Sequence, residues 1–141
     1  MSDANISALK ILCRLRRVET DEARRGLGEA LAQETALAAS DAALAGELKA
    51  AREVIGDFDR GAFSAWFGRM LTQRARLSSG MRDAEARTAF ARTELSNRRV
   101  AETAAKETLS REELALATET QRREQTMLED VARALNRAAE Q

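Results

Sequence analysis

The sequence predicts an all-α fold: an antiparallel two-helix coiled-coil hairpin whose second helix is longer than the first. Three observations predict it. The 141 residues include no proline, and Ala, Glu, Arg, Lys and Leu supply more than half of them, the composition of long helices and coiled coils. Apolar residues recur at steps of three, four and seven, the spacing of a helical seam. One cluster of helix breakers, Gly56-Asp57-Phe58-Asp59-Arg60-Gly61, divides that pattern. The length suits a single domain. Leu, Ile, Val and Phe make up only about a fifth of the chain, which would signal disorder if net charge were high. Here 23 basic and 23 acidic residues cancel. A β-sandwich, an α/β nucleotide fold, a disulfide scaffold and a collagenous chain are all disfavoured.

Helix one is expected over about 4–55. Its stripe reads Leu27, Ala30, Leu37, Leu44, Leu48, Ala51, Ile55, interrupted by Glu34 and Asp41. Gly26, Gly28 and Gly46 each cost about 1 kcal/mol against alanine inside a helix. They mark weak points where the partner helix has room to come close. The turn is expected at 56–61, with Asp57 or Asp59 available to cap the second helix. Helix two is expected over about 62–139. Ser78-Ser79-Gly80 could break it, but two heptad series run through without a slip: Phe63, Met70, Leu77, Ala84, Ala91, and Phe67, Arg74, Met81, Thr88, Leu95. A loop has no reason to preserve that phase, whereas a continuous helix must.

With the turn at 56–61, opposed residue numbers sum to about 117, so Ala4 faces Glu113 and residues after about 114 overhang by roughly 40 Å. In that stretch the apolar register shifts to Leu114, Ala117, Leu128, Val131, Leu135 and Ala138. An uncovered apolar stripe needs a cover. Leu128, Val131 and Leu135 are therefore candidate contacts for another protein, with self-association or a frayed tail as the plainer account.

Four of the five aromatics, Phe58, Phe63, Trp66 and Phe67, fall within ten residues, and Met70 and Leu71 extend the cluster. A plug closing the open end of the hairpin explains them. Yet Trp66 and Phe67 lie about 100° apart on a helix, as do Met70 and Leu71, so one of each pair should face solvent. Phe63, Trp66, Phe67, Met70 and Leu71 are thus also a candidate partner surface.

Residues 26–59 carry two basic and seven acidic groups, and residues 60–92 carry seven and two. Arg69, Arg74, Arg76, Arg82, Arg87 and Arg92 are expected to oppose the acidic half of helix one, and this neutralisation is a simpler account than nucleic-acid binding. Paired arginines such as Arg16-Arg17 and carboxylates such as Glu112-Glu113 read as solvated helix faces. There is no histidine, hence no imidazole base and no histidine-ligated metal. No catalytic residue, cofactor site or metal site is expected. Cys13, lying among Leu9, Leu12 and Leu15, reads as a buried small residue and fits a reducing compartment. Residues 1–5 lack a basic region and no apolar core follows before Lys10, so a secretory signal is not expected. A soluble, cytoplasmic protein is.

The stretch Leu9-Lys10-Ile11-Leu12-Cys13-Arg14-Leu15-Arg16-Arg17-Val18-Glu19 resembles the start of the FliJ/YscO family. Phe63-Ser64-Ala65-Trp66-Phe67-Gly68-Arg69-Met70-Leu71 falls where that family begins its second helix. Arg122-Arg123-Glu124-Gln125-Thr126-Met127-Leu128-Glu129-Asp130-Val131-Ala132 is similar to its closing segment, although the family tends to have Asp-Glu where this chain has Glu129-Asp130. The resemblance implies a soluble, non-catalytic stalk protein of the flagellar or type III export apparatus. In that family the end bearing both termini enters a hexameric export ATPase, and the hairpin region faces the cytoplasmic domain of the export gate. Export chaperones are further implied partners, and membrane association is through partners only. The alternative is a coiled-coil adaptor or tether that dimerises and has no secretion role.

Overall fold

The computed structural model describes residues 3–54 and 60–141. They form two helices, α1 (Asp3–Glu53) and α2 (Arg60–Ala139), and no strand occurs among the described residues. Asp3 in the first turn of α1 and Arg52 in its last both complement the helix dipole. Arg137 does the same at the end of α2. Residues 56–59 of the expected turn, with the caps Asp57 and Asp59, lie outside the described residues, as do Ile55 and Phe58. Arg60 and Gly61 are helical, so α2 takes in the end of the segment expected to turn. It continues unbroken through Ser78, Ser79 and Gly80.

The chain divides into two compact units. In Thr20–Arg98 the less exposed positions of α1 include Thr20, Leu27, Glu34, Asp41 and Leu48, seven apart, and Ala23, Ala30, Leu37, Leu44 and Ala51, also seven apart. On α2 they include Phe63, Met70, Leu77, Ala84, Ala91 and Arg98, and Phe67, Met81, Thr88 and Leu95. Leu44, Leu48, Ala84 and Leu95 form the apolar core. Four contacts order the helices. Thr20 meets Arg98, Glu34 meets Thr88, Leu37 approaches Gly80 and Asp41 meets Arg74. As numbers rise along α1, those of the partners fall along α2, the order of a helical hairpin.

These contacts change the meaning of the polar residues in the stripe. Thr20 is 0% exposed and its hydroxyl donates to the Arg98 carbonyl at 3.3 Å. The buried Thr88 hydroxyl donates to Glu34 Oε2 at 2.8 Å, and the Arg74 guanidinium stands 3.7 Å from the Asp41 carboxylate. Exposed threonines behave otherwise. Thr35, Thr72 and Thr93 each donate to the carbonyl four residues earlier in their own helix. Among the described residues no buried side-chain nitrogen or oxygen lacks a partner, as a seam this thin requires.

Two expectations need correction. The partner helix does not come close at Gly26, Gly28 or Gly46, where an added Cβ would meet nothing within 4 Å. All three are exposed, whereas Gly80 sits on the seam with the Leu37 side chain 3.9 Å from where its Cβ would be. Nor do the six arginines neutralise helix one residue by residue. All six stand on exposed positions, and among the described residues only Arg74 of that group reaches an α1 carboxylate.

In the second unit, residues up to Glu19 pack with Arg99–Gln141. Ile6 and Ala105 are its buried apolar residues, and Leu9, Cys13, Leu109 and Leu116 are half-buried around them. Cys13 is therefore only partly covered.

Gly28→Ala and Gly46→Ala should each raise stability by about 0.5–1 kcal/mol, since alanine gains helix propensity where nothing obstructs it. Leu48→Ala should lower it by about 2–3 kcal/mol through the cavity it leaves. Urea denaturation followed by circular dichroism measures all three.

Candidate functional site

The aromatic cluster occupies the first turns of α2. Phe63, Phe67 and Met70 take seam positions and are half-buried. The Phe63 ring stacks on Phe67 with centroids 5.8 Å apart and meets Trp66 at 5.9 Å. Arg52, in the last turn of α1, places its guanidinium carbon 5.5 Å from the centre of the Phe67 ring, a cation–π contact. Trp66 and Phe67, although adjacent, are both half-buried, because Phe63 covers part of the indole from one turn earlier. Leu71 is exposed. The five residues thus split into four half-buried side chains and one exposed leucine.

At the other end of α2, residues 121–141 are exposed on every face, while Leu116 and Glu119 remain half-buried. The fully exposed stretch begins at Gln121 rather than just after residue 114, and the first turns of α1 line a groove with Glu113, Leu116, Ala117, Thr120, Gln121 and Glu124. The exposed length is roughly 30 Å at about 1.5 Å per residue. Leu128, Val131 and Leu135 stand out in it with Met127.

Placing these residues at about 100° per residue around the helix shows how the stretch is built. Leu114, Ala117, Gln121, Leu128, Val131, Ala132, Leu135, Ala138 and Ala139 share one half of the cylinder, where Glu124 is the only charged residue. Glu119, Arg122, Arg123, Glu129, Asp130, Arg133, Arg137 and Glu140 fill the other half. Two ion pairs lie within it, Arg123–Glu119 at 2.6 Å and Arg133–Asp130 at 3.9 Å. The charged half continues the line of the seam beyond the start of α1. The apolar half starts on the groove with α1, at Ala117, Gln121 and Glu124, and runs on from there through Leu128, Val131 and Leu135. The shift in apolar register is visible in the sequence; the charge taking over the seam side was missed, and plotting charged residues by helical angle would have found it.

Among the described residues no group of three or more Cys, Asp or Glu is placed to hold a metal ion. No helix among them is long and apolar enough to cross a membrane. The chemistry on offer is recognition by apolar helix surface with charged flanks.

Phe67→Ala should destabilise the chain by about 2 kcal/mol, removing a half-buried ring together with its stacking and cation contacts. Leu71→Ala should change stability by less than about 0.5 kcal/mol. Thermal melts of the two variants decide whether the packed group and the free leucine differ in this way.

No family model, no curated protein and no solved structure matches the chain, so a functional reading rests on its own residues.

Proposed function

We propose that the chain is an antiparallel coiled coil acting as the non-catalytic central stalk of a bacterial flagellar or type III export apparatus. It works in the cytoplasm, reaching the membrane only through its partners. The observation that carries this reading is the bare end of α2. A helix exposed over residues 121–141, apolar along one half and charged along the other, suits a shaft held by a surrounding partner. A hexameric export ATPase is such a partner, and the resemblance of residues 9–19, 63–71 and 122–132 to the FliJ/YscO family supports it. Leu128, Val131 and Leu135 contact the ATPase in this reading. The start of α2 faces the cytoplasmic domain of the export gate, with Leu71 as its accessible member and Phe63, Trp66, Phe67 and Met70 holding the platform.

Replacing Leu128, Val131 and Leu135 together with glutamate should leave helix content and melting temperature unchanged, because all three are exposed. Cosedimentation with an assembled export ATPase should fall at least ten-fold, equivalent to about 1.4 kcal/mol or more. Undiminished cosedimentation, or a wild-type chain that dimerises and ignores the ATPase, would replace the stalk by a dimerising tether.

A further inference from the structure

The seam is thin in the middle of Thr20–Arg98. Leu37 approaches Gly80 and Asp41 meets Arg74, so residues 34–43 of α1 run alongside 74–83 of α2. Neither stretch contains a buried side chain. Glu34, Leu37, Asp41, Leu77, Gly80 and Met81 are only half-buried there, whereas Leu44 and Leu48 to one side and Ala84 and Thr88 to the other are buried. α2 is intrinsically weak at the same level, because Ser78, Ser79 and Gly80 are three poor helix formers in a row, and the glycine alone costs about 1 kcal/mol against alanine. Crowding does not require that glycine. An added Cβ would stand 3.9 Å from the Leu37 side chain, an ordinary contact. α1 is built differently, with Ala36, Ala38, Ala39, Ala42 and Ala43 in the facing stretch, the residue that favours helix most.

We propose that Ser78-Ser79-Gly80 is a bending joint in α2, past which α1 runs as an unbroken strap. Glycine and serine neighbours are where helices kink, and a stretch with few buried contacts opens at low cost. Both conditions meet at this one level of the hairpin. The polar pairs bracket it, Glu34 with Thr88 on one side and Asp41 with Arg74 on the other. They hold the register at either edge, so the hairpin bends here without slipping. The aromatic group rides on one arm. Phe63 stands roughly 25 Å along the helix from Gly80 at about 1.5 Å per residue, and a bend of about 20° swings it sideways by roughly 9 Å. A few residues thus absorb the change while the arms stay rigid, which is how a hinge works. The joint re-aims Phe63, Trp66 and Phe67 without disturbing their packing. The proposal goes beyond the export reading and holds whether or not the chain serves as a stalk.

The test measures amide hydrogen exchange of the full chain by NMR. The amides of Gly80 to Ala84, whose helical acceptors are the carbonyls of Arg76 to Gly80, should be protected about ten-fold less than those of Arg92 to Ser96 in α2 or Leu37 to Asp41 in α1. Ser78→Ala, Ser79→Ala and Gly80→Ala together should bring the three stretches within about three-fold of one another. Because the comparison is between stretches of one chain, a general gain in stability leaves it intact. A second readout follows the bend itself. In a Cys13→Ser background, spin labels at Ala65→Cys and Phe90→Cys occupy exposed positions on one line of α2, about 38 Å apart along the helix. Their distance distribution, read by double electron–electron resonance, should be broad with Ser78-Ser79-Gly80 in place and narrow with the three alanines. Equal protection of the three stretches in the unaltered chain, a difference that the alanines leave in place, equal opening of α1 and α2, or identical distance distributions would each overturn the proposal.

Discussion

Each helix of the hairpin has one narrow stripe with which to hold the other, and that scarcity governs the rest of the structure. The stripe in Thr20–Arg98 mixes leucine and alanine with Thr20, Glu34, Asp41, Thr88 and Arg74. A polar group turned into such a seam costs more than an unmade bond in water, so every polar intrusion from one helix has to meet an answer on the other. Glu34 receives the Thr88 hydroxyl, Asp41 receives Arg74, and Thr20 reaches the Arg98 carbonyl. The two side-chain answers exist in one register only: a slip of one heptad would put Glu34 against Met81 or Leu95, and Asp41 against Phe67 or Met81. Polar pairs therefore do in this seam what a single buried asparagine does in coiled coils: they give up some apolar contact and select one alignment.

Helix content and the phase of the seam were legible because both are properties of one strand of sequence. Periodicity carried α2 across Ser78, Ser79 and Gly80, and composition alone excluded strands. The polar pairs were not legible in the same way. Glu34 and Thr88 are separated by 54 residues, so from the pattern of helix one Glu34 could only look like a fault in the stripe. The glycines failed for a related reason. Whether a glycine admits a neighbour depends on the face it occupies, and Gly26, Gly28 and Gly46 lie off the seam while Gly80 lies on it. Charge sums over segments misled in detail, since a basic stretch can oppose an acidic one while a single arginine makes the contact. The aromatic cluster was legible as a cluster, but not its division into four half-buried residues and an exposed Leu71.

The two units differ in what they leave uncovered. In Thr20–Arg98 the large apolar side chains left exposed, Leu31, Val54, Leu71 and Phe90, are scattered, as is ordinary for a protein surface. In the unit that holds the chain ends, the exposed apolar residues are ordered: Ile11, Leu15 and Val18 on α1, and Leu128, Val131 and Leu135 on α2. Ordered apolar exposure at helical spacing is a recognition surface in waiting. The structure thus separates a unit that uses its apolar residues on its own seam from one that leaves an ordered set of them exposed.

The central claim is that polar pairs hold the helices in a single intramolecular register. It is tested most directly by crosslinking in a Cys13→Ser background. With Leu37→Cys and Gly80→Cys together, a short bis-maleimide reagent should give a crosslinked monomer in high yield, because the Leu37 side chain lies 3.9 Å from the Cβ position of Gly80. With Leu37→Cys and Arg87→Cys, one heptad away, it should give almost none. Equal yields from the two pairs, or crosslinks that join separate chains, would contradict the account.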